Sequence, residues 1–318
     1  MLDKTDYTML YRVAKYYYED NLSQSEIAQI EHVSRPHISR LLDKARECGI
    51  VQIKVVLPDE LQVSKTEKML QKELGLNEVI VVPVPTGISQ DSKKLSISIA
   101  TVAARYLPDL IKDCSKVGIG WGFTMYQTSL QLAYCDSCKN VTFIPLIGLS
   151  GVDNPYLQIN TILDRFAEKF GADSFYTNIP AVRENDSELP QIEKERYVKL
   201  QQYWGKLDAA VIGLGVPPNV GKFLISEVSH EYKEMMANSN TIGDILCQFF
   251  YPDGSIIDFK SHYEQFSFPI QKLREIKKVI CLAGGADKAD GIITAARNGF
   301  YNTLITDSVT ASLILNRL

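Results

Sequence analysis

The chain has 318 residues, 45% hydrophobic and 23% charged, with a net charge of -4, enough for one large core and a small satellite domain. An isoelectric point near 5.7 excludes a broad cationic coat for nucleic acid and leaves room only for a localised, salt-sensitive contact. No apolar run approaches the roughly 20 residues of a membrane span, no apolar signal region follows Asp3, Lys4 and Asp6, and six scattered cysteines are too few for a disulfide framework, so a soluble cytoplasmic protein with no membrane partner is expected.

In chain order, Leu10, Val13, Ala14 and Tyr17 place one apolar face on a first helix. Ser23 followed by Glu26 forms a capping-box opening for a second, with Ile27, Ala28 and Ile30 on its apolar side. His32 and Val33 make a turn, Ser34 offers a hydroxyl to cap a third helix, and Pro36 sits in its first turn, where a missing N–H is tolerated. Ile38, Leu41 and Leu42 repeat at helical spacing there and leave Arg35, His37, Ser39, Arg40 and Lys44 off the stripe. This is a helix-turn-helix pattern. Over residues 1–57 acids and bases cancel at 8 each, yet from His32 to Arg46 four basic residues face only Asp43, so positive charge is focused on the third helix. Such a helix suits the major groove, where Arg and Ser reach base edges and Lys meets phosphate, and the expected partner is double-stranded operator DNA read by Ser34, Arg35, His37, Ser39, Arg40 and Lys44. The bland alternative is a helical hairpin with a solvated basic face. Gly49 and the IVQIKVVL run after it suggest a wing that closes a DNA-binding domain over residues 1–57.

Pro58 ends that region, and residues 58–76 read as a polar linker helix with Leu61, Met69, Leu70 and Leu74 on its sides. Residues 77–318 then alternate apolar runs with helical patterns: VIVVPV at 79–84, VGIGW at 117–121, VTFIPLI at 141–147, DAAVIGLG at 208–215, VICLAGG at 279–285 and TLIT at 303–306. Short Val- and Ile-rich runs flanked by glycine and separated by helices predict a doubly wound α/β domain built on a parallel sheet. Cys135 and Cys138 form the one closely spaced cysteine pair. With neither a helix N-terminus nor a second ligand pair evident beside them, they are read as structural, and no metal or cofactor is expected.

Ligands of doubly wound sheets bind beyond the carboxyl ends of strands. The exit Gly118-Ile119-Gly120-Trp121-Gly122-Phe123-Thr124 offers close backbone approach, a helix N-terminus and the Thr124 hydroxyl, which favour a phosphate. Its third glycine is misplaced for a dinucleotide fingerprint, no acidic residue closes a following strand, and it lacks the Lys of a P-loop; tight strand-helix packing is its alternative reading. At the exit Ala283-Gly284-Gly285-Ala286-Asp287-Lys288, Lys288 can supply a charge to phosphate or an amine to a sugar carbonyl, or stand as a solvated first-turn lysine. Asp244 could accept from sugar hydroxyls or cap a helix, and Gln158 and Asn160 could contact the same ligand or serve as polar positions of an amphipathic helix.

Taken together, the helix-turn-helix, the linker helix, VGIGWGFTM, GDI and LAGGADKADGIITAARNGFYNTLITDSVTA resemble the SorC-type family of sugar-responsive bacterial transcription regulators, also grouped with DeoR-named repressors, over essentially the whole chain. The resemblance implies an operator-binding domain followed by an effector domain similar to ribose-5-phosphate isomerase and glucosamine-6-phosphate deaminase, a phosphorylated sugar as effector, and assembly as a dimer or homotetramer. By position, Gly120, Gly122 and Thr124 match the family's phosphate loop, and Asp244 and Lys288 match ligand-contacting positions. The deaminase-like relatives follow the strand corresponding to VIGLG with an Asp and a His that move protons. Gly213 to Asn219 carries neither here, and losing general acid-base catalysis forfeits a factor of roughly 10² to 10⁴. The expectation is therefore a regulator without catalytic residues, the alternative being a sugar-phosphate isomerase or deaminase with an appended DNA-binding domain.

Overall fold

In the computed structural model, residues 4–51, 60–150, 158–185, 188–217, 239–258 and 263–318 are described. The chain divides into two compact units, Met1–Pro58 and Asp59–Leu318.

The first unit contains α1 (Lys4–Tyr18), α2 (Gln24–Ile30) and α3 (Arg35–Glu47). Ser23 and Glu26 complete a reciprocal capping box: the Glu26 N–H donates to Ser23 Oγ and the Ser23 N–H to Glu26 Oε2 at 2.8 Å. Val13, Ile27, Ala28, Ile38 and Leu42 bury together, and Leu10, Ala14 and Ala45 form a second small cluster. Ile30, expected on the apolar side of α2, is 48% exposed, and Ile27 and Ala28 alone are the buried residues of that helix. The α2–α3 turn places His32 in the left-handed region at φ 54°, a conformation uncommon outside glycine that lets the chain reverse within a few residues. Arg12 grips Glu31 at that turn through two 2.6 Å hydrogen bonds, fixing α1 against it. The suggested wing falls largely on residues 52–59, outside the described residues. Ser23→Ala removes the acceptor for an orphan helix N–H, and a loss of about 1 kcal/mol is expected for the first unit, read as a lower melting temperature of its transition.

The second unit carries a seven-stranded, wholly parallel sheet among the described residues, in the order β1-β11-β10-β6-β2-β3-β4. These strands are β1 (Glu78–Val82), β2 (Lys116–Ile119), β3 (Thr142–Pro145), β4 (Asp173–Ser174), β6 (Ala209–Gly213), β10 (Lys278–Leu282) and β11 (Thr303–Asp307). Almost every residue of the central strands is buried, as a sheet covered on both faces requires. The short α5 (Thr86–Ser89) follows β1. On one side α6 (Ser92–Ile111), α7 (Phe123–Gln131) and α8 (Ile159–Phe170) pack in sequence; α4 (Glu60–Leu74), α10 (Ala289–Arg297) and α11 (Ser308–Arg317) pack together, and α9 (Gln191–Trp204) meets β3. Right-handed crossovers that run in opposite directions along the sheet put these two groups on opposite faces. The helix expected as a linker, α4, buries Leu70 and Leu74 in the main core and accepts the Val81 N–H at Glu67 Oε1, 2.9 Å, so it covers the edge strand β1.

Two antiparallel ribbons have no counterpart in the sequence reading. One pairs β5 (Val182–Glu184) with β9 (Tyr263–Gln265), the other β7 (Gly243–Ile245) with β8 (Gln248–Phe250). The second places Asp244 on a strand, which rules out its alternative role as a helix cap.

Candidate functional site

From β2 the chain moves outward to β3 and β4, whereas from β6 it moves the other way to β10 and β11. The neighbours β2 and β6 therefore mark the topological switch point, where a crevice opens beyond their carboxyl ends. At β2 the Gly120 N–H extends the ladder to the Val211 carbonyl at 2.8 Å. A Cβ at Gly120 would lie 3.1 Å from Leu246 Cδ2 and 3.4 Å from the Val211 oxygen, so a side chain here would press on Leu246 and glycine eases the close approach to β6. Gly122 then caps α7 at φ 118°, with open space where a side chain would stand. Thr124 lies in the first turn of α7, where helix N–H groups lack intrahelical acceptors.

Beyond β6, Gly215 and Asp244 exchange two backbone hydrogen bonds at 2.9 and 3.0 Å, which hang the β7–β8 ribbon over the crevice. Its two-residue turn, Leu246 and Cys247, has φ of 54° and 61°, the twist a tight hairpin demands. Neither residue is glycine, and both are buried, so this turn holds strain beside the crevice. The Asp244 carboxylate is buried; it accepts the Cys247 N–H, while Oδ2 has no partner. Burial pushes its pKa up to about 7, against the lowering effect of the Cys247 N–H and of Lys288. Lys288 reaches in from the opposite exit and donates from Nζ to the Leu214 carbonyl at 2.8 Å. Burial holds its ammonium below the usual lysine range, partly offset by Asp287, Cys281 and Asp244. Gly120, Asp244 and Lys288 thus gather at one mouth, on parts of the chain far apart in sequence.

Gly284 and Gly285 shape the turn that carries Lys288. The Gly285 N–H donates to Thr310 Oγ1 at 2.7 Å and to Asp307 Oδ2 at 3.2 Å, and a Cβ at Gly284 would strike Asp307 and Ile99. These two glycines are positioned by packing. Asp307, which also caps α11 through the Val309 and Thr310 N–H groups, was missed from sequence, although Asp-Ser-Val-Thr after an apolar run is a helix-start signal. Gln158 and Asn160 open α8 on the β3 side of the crevice. Gln158 Nε2 donates to the Ser150 carbonyl at 2.7 Å, and Asn160 clamps Thr177 by giving Nδ2 to its carbonyl and accepting its N–H. In this structure the Asn160 amide is used to hold a loop. A separate groove of about 450 Å3, lined by Arg183, Glu188, Lys194, Tyr197 and Glu264 among others, contains none of the predicted residues. Its charges are taken up by the ion pairs Arg183–Glu264 and Lys194–Glu188.

In the first unit, Ser34, Arg35, Arg40 and Lys44 are exposed along α3, with His37 and Ser39 half-buried between them. Ser34 is the N-cap residue, but its hydroxyl makes no cap hydrogen bond, contrary to the capping role expected of it; its carbonyl accepts the His37 and Ile38 N–H groups instead. Arg46 is turned back, donating to Tyr18 Oη at 2.9 Å and to Asp43 at 3.0 Å. Arg40 Nε rests 3.4 Å from the Pro36 carbonyl of its own helix. Among the described residues no ion pair engages Arg35, Arg40 or Lys44.

Residues 60–316 match the Sugar-bind family of sugar-binding domains. The deoxyribonucleoside regulator of Bacillus subtilis is 28% identical over 332 aligned residues, covering 100% of both chains, and the sorbitol operon regulator of Klebsiella pneumoniae is 28% identical over 322, covering 99% and 100%. The crystal structure of that full-length sorbitol operon regulator, SorC, superposes with a TM-score of 0.68 at 26% identity, over 98% of this chain and 100% of SorC. The chain belongs to the SorC-type family of sugar-binding transcriptional regulators. A transcriptional regulator from Streptococcus pneumoniae TIGR4 matches 81% of this SorC-type chain and 98% of its own, with a TM-score of 0.71 and 26% identity. Among the described residues this SorC-type regulator has no helix long and apolar enough to cross a membrane.

Proposed function

We propose that this SorC-type regulator reads operator DNA through α3 and answers a phosphorylated sugar held at the crevice beyond β2 and β6. The observation that carries the reading is the meeting of a partnerless carboxylate oxygen on Asp244 with the buried Lys288 ammonium at a topological switch point. A carboxyl group close to half-protonated at neutral pH can accept from or donate to sugar hydroxyls. The Lys288 charge and the open N-terminus of α7 at Gly122 and Thr124 suit a phosphate. Arg35, Ser39 and Arg40 face bases, while Lys44 meets phosphate; the uncommitted Ser34 hydroxyl and the first N–H groups of α3 suit a second phosphate contact.

The test is a thermal-shift and calorimetric screen over pentose and hexose phosphates and their unphosphorylated forms. The phosphorylated compounds are expected to raise the melting temperature of the second unit and to be recovered chemically unchanged. Isomerised or deaminated product would favour the enzyme reading instead.

Linkage gives a pH dependence with a defined sign. The folded Asp244 carboxyl holds its proton to about pH 7, against an ordinary value of 3.8, so its contribution to stability is fully present below about pH 4 and is lost as pH rises toward 7. Relative to Asp244→Asn, the wild-type second unit is expected to lose stability across that window in denaturant titrations and to level off above it. Parallel curves from pH 4 to 8 would contradict the burial of an ionisable group here.

The functional unit is at least a dimer, since one recognition helix rarely supplies enough specificity and two-fold symmetric proteins match palindromic sites. Sedimentation at micromolar concentration is expected to give at least twice the chain mass of 35.7 kDa. A monomer with and without operator would overturn this.

A further inference from the structure

The connection between α7 and β3 enters the sheet at the amino ends of its strands, the opposite end from the crevice, and contains a feature that neither DNA nor sugar binding uses. Cys135 stands in extended conformation (φ -150°, ψ 114°) as the residue before a 3-10 turn, Asp136–Cys138, and Cys138 is the third residue of that turn. The residue before a helical turn and the third residue within it bring their side chains together, the relation that lets Ser23 and Glu26 exchange hydrogen bonds in α2. Here both positions are cysteines. Ser137 Oγ lies 2.9 Å from Cys135 Sγ and 3.6 Å from Cys138 Sγ, and the two thiols also interact with one another. Three steps of a 3-10 turn at about 2.0 Å rise separate the Cα atoms by about 6 Å, inside the 4.4 to 6.8 Å range that a disulfide spans. Cys135 is half-buried and Cys138 is buried, so the pair has one sulfur open to solvent and one behind it. The backbone around it is fixed: the Cys135 N–H donates to the Lys169 carbonyl at 2.9 Å, the Val141 N–H to the Cys138 carbonyl at 3.0 Å, and Cys138 Sγ to the Pro108 carbonyl at 3.5 Å.

We propose that Cys135 and Cys138 are a modification site, a dithiol that a low-molecular-weight disulfide such as oxidised glutathione closes into an intrachain disulfide. The Cys135 thiolate attacks one sulfur of oxidised glutathione, forming a mixed disulfide and releasing one glutathione thiolate. Cys138, after losing its proton to solvent, attacks the Cys135 sulfur of that mixed disulfide and expels the second glutathione. Both released thiolates take up protons. The protein dithiol is oxidised by two electrons and the glutathione disulfide is reduced to two thiols. Burial raises the Cys138 thiol above its usual range, so closure quickens as pH rises.

The full-length protein is equilibrated in mixtures of reduced and oxidised glutathione, its remaining thiols are blocked with N-ethylmaleimide, and the digest is weighed by mass spectrometry. In the oxidised mixtures the peptide containing both residues is expected to be two hydrogen masses lighter and unblocked. Cys138→Ser is expected to retain glutathione on Cys135, and Cys135→Ser to leave Cys138 free to take the maleimide. Cys114, near enough for the charge of Cys138 to bear on it, is the internal control. A wild-type peptide carrying two maleimides, or a stable glutathione adduct on Cys135 without closure, in a mixture that oxidises the urea-unfolded chain would overturn the proposal. So would pairing of Cys138 with Cys114.

Discussion

Lys288→Ala is expected to lower affinity for the phosphorylated sugar effector by about 2 to 3 kcal/mol, roughly 30 to 150 fold, while leaving operator affinity without effector unchanged. The ammonium sits where burial works against its charge and Asp287, Cys281 and Asp244 offset that only in part, while Nζ is held by the Leu214 carbonyl, so an anionic guest would add counter-charge. Its removal leaves both the guest and Asp244 short of a cation. The outcome is a protein that binds DNA and no longer answers its signal. Calorimetry on the ligand found by the screen decides it, and undiminished affinity of the variant would place the effector elsewhere. Lys288→Arg is a useful companion, since it retains the charge but not the fit of a compact ammonium to one carbonyl.

Arg40→Ala is expected to cost about 1 to 3 kcal/mol of specific operator binding with effector binding intact, and Lys44→Ala to weaken all DNA sequences alike and flatten the salt dependence by about one unit of slope. The two differ because a base contact carries sequence information and a phosphate contact does not. Both side chains are exposed on α3 and, among the described residues, in no ion pair, so their substitution leaves the small core of Val13, Ile27, Ile38 and Leu42 untouched. Competition binding at two salt concentrations separates the effects. Equal operator affinity for the Arg40 variant and the wild type would end the assignment of α3 as the reading helix.

The six apolar runs visible in the sequence are β1, β2, β3, β6, β10 and β11, legible because strands buried on both faces must be apolar along their whole length. Strands two or three residues long, such as β4, β5, β7, β8 and β9, leave no such run, and their pairing is set by tertiary contacts that no local pattern encodes. The same limit governed the candidate site. The glycine exits were readable because close backbone approach favours glycine at Gly120 and a left-handed conformation favours it at Gly122. That Asp244 lies on a strand with one bare oxygen, and that Asn160 is occupied by Thr177, depends on partners many residues away. Ser34 shows a subtler miss: a residue can occupy the cap position without its hydroxyl closing the bond. For Cys135 and Cys138 the missing signal was the 3-10 turn, too short to leave a periodicity.

The place of β11 has a consequence for synthesis on the ribosome. Glu78 to Val82 pair along their length with Thr303 to Asp307, and β11 alone bridges β1 to β10. When β1 emerges, the strand it must join is among the last segments still to be made, and loop closure over such a span is slow. Until translation nearly ends, β1 and β10 each present an unpaired apolar edge, the kind of surface on which nascent chains associate wrongly. Chains halted before β11 would therefore keep the separate first unit but leave the second with two open strand edges, which makes them substrates for chaperone capture or degradation.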